Sequence, residues 1–494
     1  MVPEKQWRDK GDMMDKRTAR KVHGTDFRAV IANLRHEFQL SRRDDSEQRN
    51  DKSAMQVVIR KRPMLAHEPK KKEFDVVTCV GDHTVVVHDC QMYADMKRKF
   101  IENRSRPFSK VFSETASTDQ VFDDVAKPLV EHAIDGGQSV IMMYGQTGSG
   151  KTHTMQGLYK KMADMIFGNN VGDDLRVIVT AVEIAGAKCF DLLRRRQKVS
   201  VCDTNGGDSK LLNVTERNVD SSARLVETIQ EALAQRATEA TAVNSVSSRS
   251  HFLCRLGLVD KRKRGQLTLL DLAGSERNED SFHHTADRRR EAIEINSSHL
   301  ALKQCVQALG QQDTTGFVPY RASTLTRLLK DSLWAKDARA AVIATISPIA
   351  TDTEHTLHTL QYASMMLVDA PEEIKEQVEV PTAVEEAKTK VRVKTKRAKQ
   401  ILTGEFQAIK DWDNSDVIEW WQSLKRGLFT KYSSNLRGVD GKMLLRLGLP
   451  RIIQLCNSNA IDGEAVFKCL QKEKAQDDKA DKERRLRNAA ARKK

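Results

Sequence analysis

No stretch of this 494-residue sequence approaches the ~18 consecutive apolar residues of a membrane-spanning helix, so a soluble chain without membrane contact is expected. Residues 4–20 are charged and contain no apolar leader core, which points to the cytoplasm. The eight cysteines show no C-x-x-C pair and no neighbouring His-x-x-x-His. Neither a zinc site nor a disulfide framework is indicated, and a reducing compartment fits. No long heptad run is visible, which argues against a coiled-coil stalk. Aromatic residues make up only 5% of the chain, and no aromatic-lined basic groove is apparent, so nucleic acid is not an expected partner.

Positive charge, by contrast, is in excess. Lys and Arg outnumber Asp and Glu by 82 to 68, a net charge of +14, which favours an acidic partner surface. Single cores stop growing at about 250–300 residues, so two domains with charged connectors are expected.

The chain is organised around Gly145-Gln146-Thr147-Gly148-Ser149-Gly150-Lys151-Thr152, which fits the G-x-x-x-x-G-K-[ST] phosphate loop with nothing missing. The apolar run 140–144 reads as a buried strand, and Met155, Leu158, Met162, Met165 and Ile166 follow with helical spacing. A triphosphate needs this order. Glycines let backbone N–H groups close round the β-phosphate, while the helix N-terminus faces the negative charge. Lys151 then neutralises β- and γ-oxygens, and the Thr152 hydroxyl is a Mg²⁺ ligand.

In chain order, residues 1–52 are charge-dense, yet Phe27, Val30, Ile31, Leu34 and Phe38 keep one helical stripe, predicting a short amphipathic helix inside a mobile arm. Strands are predicted at 55–59, 76–80 and 84–88, with a hairpin turn at Gly81-Asp82. Residues 91–106 fit either a projecting hairpin or a short helix, and the lysines at 70–72 read as a solvated loop. A helix is predicted over 116–134, strands over 176–184, 199–201 and 211–214, and a helix over 223–236. The loop Asn244-Ser245-Val246-Ser247-Ser248-Arg249-Ser250-His251 precedes a strand at 252–259. A further strand, 266–270, ends in Asp271-Leu272-Ala273-Gly274-Ser275-Glu276. A carboxylate at that strand end is where a Mg²⁺ shell residue belongs, and Gly274 is free to turn its N–H toward a γ-phosphate.

The ordered set Arg60-x-Arg62-Pro63, 145–152, 244–251 and 271–276 resembles the kinesin motor domain over residues 53–370. The resemblance implies an α/β fold, a mixed central sheet flanked by helices, and Mg-ATP turnover stimulated by microtubules. It implies that Arg60, Pro63 and His153 border the adenine, that Thr152 and Ser248 serve Mg²⁺, and that Asp271 supports the ion through water. Ser247 and the Gly274 N–H would meet the γ-phosphate, and Arg249 and Glu276 would form the ion pair that closes the switches around the attacking water. The stripe ending in Leu34-Arg35 and the run 183–193 are similar to the internal-motor, kinesin-13 class, which depolymerises microtubules. The alternative is a nucleotide-gated tubulin-binding scaffold.

Three departures bear on the tubulin side. The finger of the kinesin-13 class, Lys-Val-Asp, falls on Tyr93-Ala94-Asp95, with Lys97, Arg98 and Lys99 able to restore charge if the loop is registered differently. Ser297 and Thr324 stand where kinesins usually carry Lys. Tubulin contact is expected from Asp95, Arg321, Arg327 and Lys330. Residues 371–410 read as a charged linker. Residues 411–472 resemble an all-α sterile alpha motif (SAM) domain, able to self-associate or bind a protein partner, and 473–494 read as a charged, mobile tail. A cytoplasmic, cytoskeletal location follows from the resemblance.

Overall fold

The computed structural model describes residues 13–40, 55–168, 175–203, 209–237, 249–275, 286–310, 318–367, 373–380, 408–424 and 429–491. The chain divides into two compact units, Met1–Pro381 and Thr382–Lys494.

In the first unit, eleven strands form one mixed sheet among the described residues. Its path runs Ser209–Leu212, Gln197–Asp203, Lys188–Asp191, Arg176–Ala185, His251–Val259, Arg264–Asp271, Gln138–Tyr144, Ala338–Ile346, Met55–Lys61 and Lys110–Phe112. Arg217–Val219 pairs off this path with Arg176–Ala185. The strand Gln138–Tyr144 lies between two parallel neighbours, Arg264–Asp271 and Ala338–Ile346. Such a strand is covered on both faces and reads as a continuous apolar run. Val140, Met142 and Tyr144 face one core with Leu302, Leu325 and Leu360. Ile141 and Met143 face the other, with Met155, Leu158 and Met162 of the helix Lys151–Ile166. Asp271 is in register with Met143, two positions before Gly145.

The helix expected over 116–134 is broken into Thr118–Val121, a π turn Phe122–Ala126 and Lys127–Ile134. Pro128 explains the break, because it has no amide to donate to the preceding turn.

A second, antiparallel sheet orders Ile374–Val380, Lys99–Pro107, Thr84–Met92 and Val77–Val80. Residues 91–106 are therefore a hairpin, closed where Tyr93 N donates to Arg98 O at 3.0 Å. Ile374–Val380 corrects the expected start of the charged linker. Its side chains are mostly exposed, so backbone pairing rather than apolar burial holds it.

The mobile-arm expectation is corrected over 16–40. Asp15 caps the helix Lys16–Val22, and the helix Gly24–Leu40 follows. Phe27, Ile31 and Leu34 are buried in the core that holds Val77, Val85 and Ile101. Arg20 is fully buried, and its guanidinium reaches Asp89 Oδ1 at 2.8 Å and both Glu354 oxygens at 2.7 Å. The apolar stripe needed a surface, and the first unit supplies it. The lysines at 70–72 are exposed, as expected.

The second unit is all helical among the described residues. Asn414–Ser423, Gly441–Arg446, Leu449–Leu455 and Ala460–Ala491 enclose Val417, Trp421, Leu436, Leu444, Ile452, Val466 and Leu470. Trp421 Nε1 donates to Phe429 O at 3.1 Å, which satisfies its only donor inside the core. The expected mobile tail is corrected over 473–491, where the last helix continues, and Lys474 Nζ donates to Leu445 O at 2.7 Å.

Candidate functional site

The phosphate loop leaves the C-terminal end of Gln138–Tyr144 and enters Lys151–Ile166. Gly145 has φ +141°, and a Cβ there would stand 2.3 Å from Thr345 O, so no other residue fits. Ser149 Oγ donates to Gln146 O at 2.7 Å and lies 2.7 Å from Thr345 Oγ1, which buttresses the loop from beneath. The following helix has no side-chain cap at its N-terminus among the described residues, leaving first-turn amides for an anion. Lys151 is buried, and its Nζ donates to Gly145 O at 2.8 Å and Gln146 O at 3.0 Å. Gln146 is buried as well, whereas Thr147, Gly148, Thr152 and His153 are exposed on the open side and Gly150 is half-buried.

Asp271 sits at the adjacent strand end, with Arg236 Nη1 donating to its Oδ2 at 2.8 Å. Both side chains are almost completely buried. Its other oxygen, Oδ1, is buried with no hydrogen-bond partner among the described residues. An orphaned carboxylate oxygen at this position fits a hydrated hard cation, since Mg²⁺ takes oxygen ligands and keeps several waters. The buried loop after it is strapped from two sides. Ser275 N donates to Gly145 O at 3.2 Å, and Ala273 N donates to His251 Nδ1 at 3.1 Å, with Gly274 between them. Because Nδ1 accepts, His251 carries its proton on Nε2, which donates to Ser298 Oγ at 2.8 Å. Burial, then the nearby His299 and Arg236, holds the His251 pKa well below the usual value, so the ring is neutral. The segment after Asp271 is thereby wired to the helix Ala286–Gly310.

Arg249 is half-buried in the turn before His251–Val259, while Ser247, Ser248 and Glu276 lie outside the described residues. Arg60 donates from Nη1 to Thr154 Oγ1 and from Nη2 to Thr118 Oγ1, both at 2.9 Å, and burial lowers its pKa. Pro63 and His153 are exposed. Arg62 is the residue that motif reading left without a role: its Nε donates to Gly148 O at 2.9 Å. The signal available in sequence was its place beside Pro63, next to the loop entry.

The expected tubulin contacts are less open than their charges suggest. Arg327 Nη2 lies 2.9 Å from Asp203 Oδ1, and Arg321 Nε lies 3.9 Å from the same carboxylate. Lys330 Nζ stands 5.0 Å from the Tyr320 ring centroid. Thr324 opens the helix Thr324–Trp334 behind a Ser323 capping box, and Ser297 is exposed between Ile293 and Leu300, both also exposed.

At the hairpin tip, Asp95 accepts from Lys97 N and from Arg98 N and Nε, and the Arg98 bond is the main cause of a pKa pushed down to about 2. Arg98 lies 4.6 Å over the Tyr93 ring, and Tyr93 OH meets Glu379 and accepts from Gln377 Nε2. Lys99 is buried against Asp26 of the N-terminal helix. The idea that residues 97–99 restore charge to the tip is corrected for Lys99, because strand alternation turns it inward, and for Arg98, which bonds back onto the turn.

The family model of the kinesin motor domain matches residues 60–367. The chain is 36% identical over 312 residues to diatom spindle kinesin-1 of Cylindrotheca fusiformis, covering 62% of this chain and 49% of that protein. It is 35% identical over 358 residues to the human kinesin-like protein KIF24, covering 69% and 26%. It therefore spans half or less of the length of these relatives. Among solved structures, a fast kinesin superposes with TM-score 0.55 at 28% identity, covering 65% of this chain and 94% of that one. The KIF14 dimer, solved with AMP-PNP on a microtubule, gives 0.54 at 30%, covering 64% and 94%. A match over most of the first unit, joined to a phosphate loop and an Asp271-ended strand beside it, means that the chain belongs to the kinesin motor-domain family.

Proposed function

We propose that the first unit hydrolyses ATP with Mg²⁺ and couples turnover to microtubules. The observation that carries this reading is the buried Asp271 beside an intact phosphate loop, one oxygen held by Arg236 and the other left for a cation's water. When bound through Thr152, Ser248 and, by water, Asp271, Mg²⁺ would neutralise charge on the β- and γ-phosphates. The rest falls to the chain. Loop amides and Lys151 hold the phosphates, the Gly274 N–H and Ser247 orient the γ-phosphate, and Arg249 with Glu276 closes the switches around the attacking water. Placement and charge stabilisation supply most of the rate in phosphoryl transfer. The test is single-turnover phosphate release. Lys151→Ala should abolish nucleotide binding, and Glu276→Ala should bind ATP yet stall. Parent-rate hydrolysis by Glu276→Ala would refute the switch assignment.

Within this reading, a divergent depolymerising internal motor of the kinesin-13 kind is supported by the helix placed directly before the motor and by the similarity to KIF24. The reading of a tubulin-binding scaffold is favoured by one observation: the hairpin tip spends Tyr93, Asp95 and Arg98 on its own structure. Weak depolymerisation is the expected balance. The second unit is read as a SAM-like association module, for self-association or a protein partner, and the whole chain as cytoplasmic and microtubule-bound.

A further inference from the structure

We infer that Arg62 is a positioning residue for the nucleotide: it sets the apex of the phosphate loop, and Glu68 sets Arg62. This rests on the nucleotide reading above and adds a residue to it.

Gly148 is the outermost turn of the phosphate loop, with φ +76° and nothing within 4 Å of a Cβ built on it. Among the described residues, no side chain beyond its two chain neighbours packs against that corner. Its carbonyl instead accepts from Arg62 Nε at 2.9 Å. Every other donor of the guanidinium is also engaged. Nη1 donates to Pro63 O and Glu68 Oε2, and Nη2 donates to Glu68 Oε1 and Ser347 Oγ. A planar fork with all its donors used has one orientation, so its Nε–H direction is fixed.

Glu68 is itself almost fully buried and accepts from Leu65 N at 2.7 Å. Burial raises its pKa, but the Arg62 bonds and the Leu65 amide outweigh this, and the carboxylate stays charged. The segment carrying it is anchored at its far end. Glu73 N donates to Glu68 O, and the Glu73 carboxylate meets Lys21 Nζ at 3.0 Å and accepts from Thr351 Oγ1 at 3.0 Å. Residues 62–73 thus form a stiff arm between the N-terminal helices and the phosphate loop. Arg62 touches the loop through one carbonyl and need not touch nucleotide. Orienting the Gly148 peptide fixes the direction of the amides that follow it, which is where the β-phosphate seats.

The test measures Mg-ADP affinity of the full chain with a ribose-labelled fluorescent ADP, alongside steady-state ATP turnover and thermal unfolding. Arg62→Ala is expected to weaken ADP binding and raise KM for ATP about tenfold, about 1.4 kcal/mol, with kcat within about twofold. Arg62→Lys should recover little, because an ammonium cannot hold Gly148 O and both Glu68 oxygens together. Glu68→Gln, which keeps the shape and removes the charge, should lose about threefold. If Arg62→Ala does not fold, Glu68→Gln carries the same comparison. A role confined to folding would lower the unfolding temperature and leave the affinity of the folded protein unchanged, and that result overturns the inference. A parent chain that binds no Mg-ADP overturns the nucleotide reading and this inference with it, whereas equal binding by parent and variants overturns the inference alone.

Discussion

Arg20 and Glu354 are 334 positions apart, yet two guanidinium nitrogens of the first reach both carboxylate oxygens of the second at 2.7 Å. The same guanidinium meets Asp89 at 2.8 Å, so one buried side chain ties the N-terminal helix to the hairpin sheet and to the helix Thr353–Ser364. Removing one partner of a buried pair is costly because it strands the other charge. Arg20→Ala should therefore lower the unfolding free energy by about 3–5 kcal/mol in urea titrations. A loss below about 1 kcal/mol would mean that the N-terminal helices are not integral to the unit.

Arg236 plays the corresponding part at the strand Arg264–Asp271, where it holds Asp271 in place. Arg236→Ala leaves that carboxylate buried without its counter-charge. Turnover should fall at least about tenfold, with about 3 kcal/mol lost in stability. Turnover equal to the parent would show that Asp271 needs no fixed orientation.

How much of this was legible beforehand differed by kind of interaction. The phosphate loop, its strand and its helix were readable because local glycine conformations and apolar periodicity carry them. So was the stripe Phe27, Ile31, Leu34, but not what covers it, because periodicity names a face and not its partner. Arg20 was hidden in a charge-dense run, since a buried ion pair and a solvated charge look alike in sequence. Ile374–Val380 was missed because its sequence, IKEQVEV, is mostly charged and polar and its hold is the backbone ladder with Lys99–Pro107. Arg62 stood within the recognised motif, but its five donors find partners only in the fold.

Acid should destabilise the motor unit through its buried histidines. Burial, aided by the Lys151 charge, pushes the His299 pKa down to about 3, in a site shared with Tyr144, Tyr362 and His251, while burial puts His88 at about 4. A base whose folded pKa lies below its unfolded value near 6.5 takes up protons preferentially when unfolded. Its contribution is therefore complete above pH 6.5 and is lost as the pH falls toward the folded value. Between pH 6.5 and 4.5 His299 alone should account for about 2 kcal/mol. Urea titrations at the two pH values should show that His299→Leu removes about this much of the pH dependence. An unchanged pH dependence would show that the ring is not held neutral.

Asp203 competes for the cations expected to face tubulin, since it lies 2.9 Å from Arg327. Alanine at Arg321, Arg327 and Lys330 should weaken microtubule co-sedimentation and flatten its salt dependence without altering nucleotide affinity. Asp203→Asn should do the opposite and tighten binding at low salt by about two- to fivefold. Binding insensitive to salt would contradict a charge-led contact.

Phosphate release and polymer mass, followed together while the purified chain and ATP act on stabilised microtubules, test the coupling of nucleotide to polymer most directly. Release should rise at least about tenfold when microtubules are added, should vanish in Lys151→Ala, and should be accompanied by slow polymer loss. Phosphate release that microtubules leave unchanged would contradict a microtubule-stimulated ATPase, and stimulated release with no polymer loss would leave a motor that does not depolymerise.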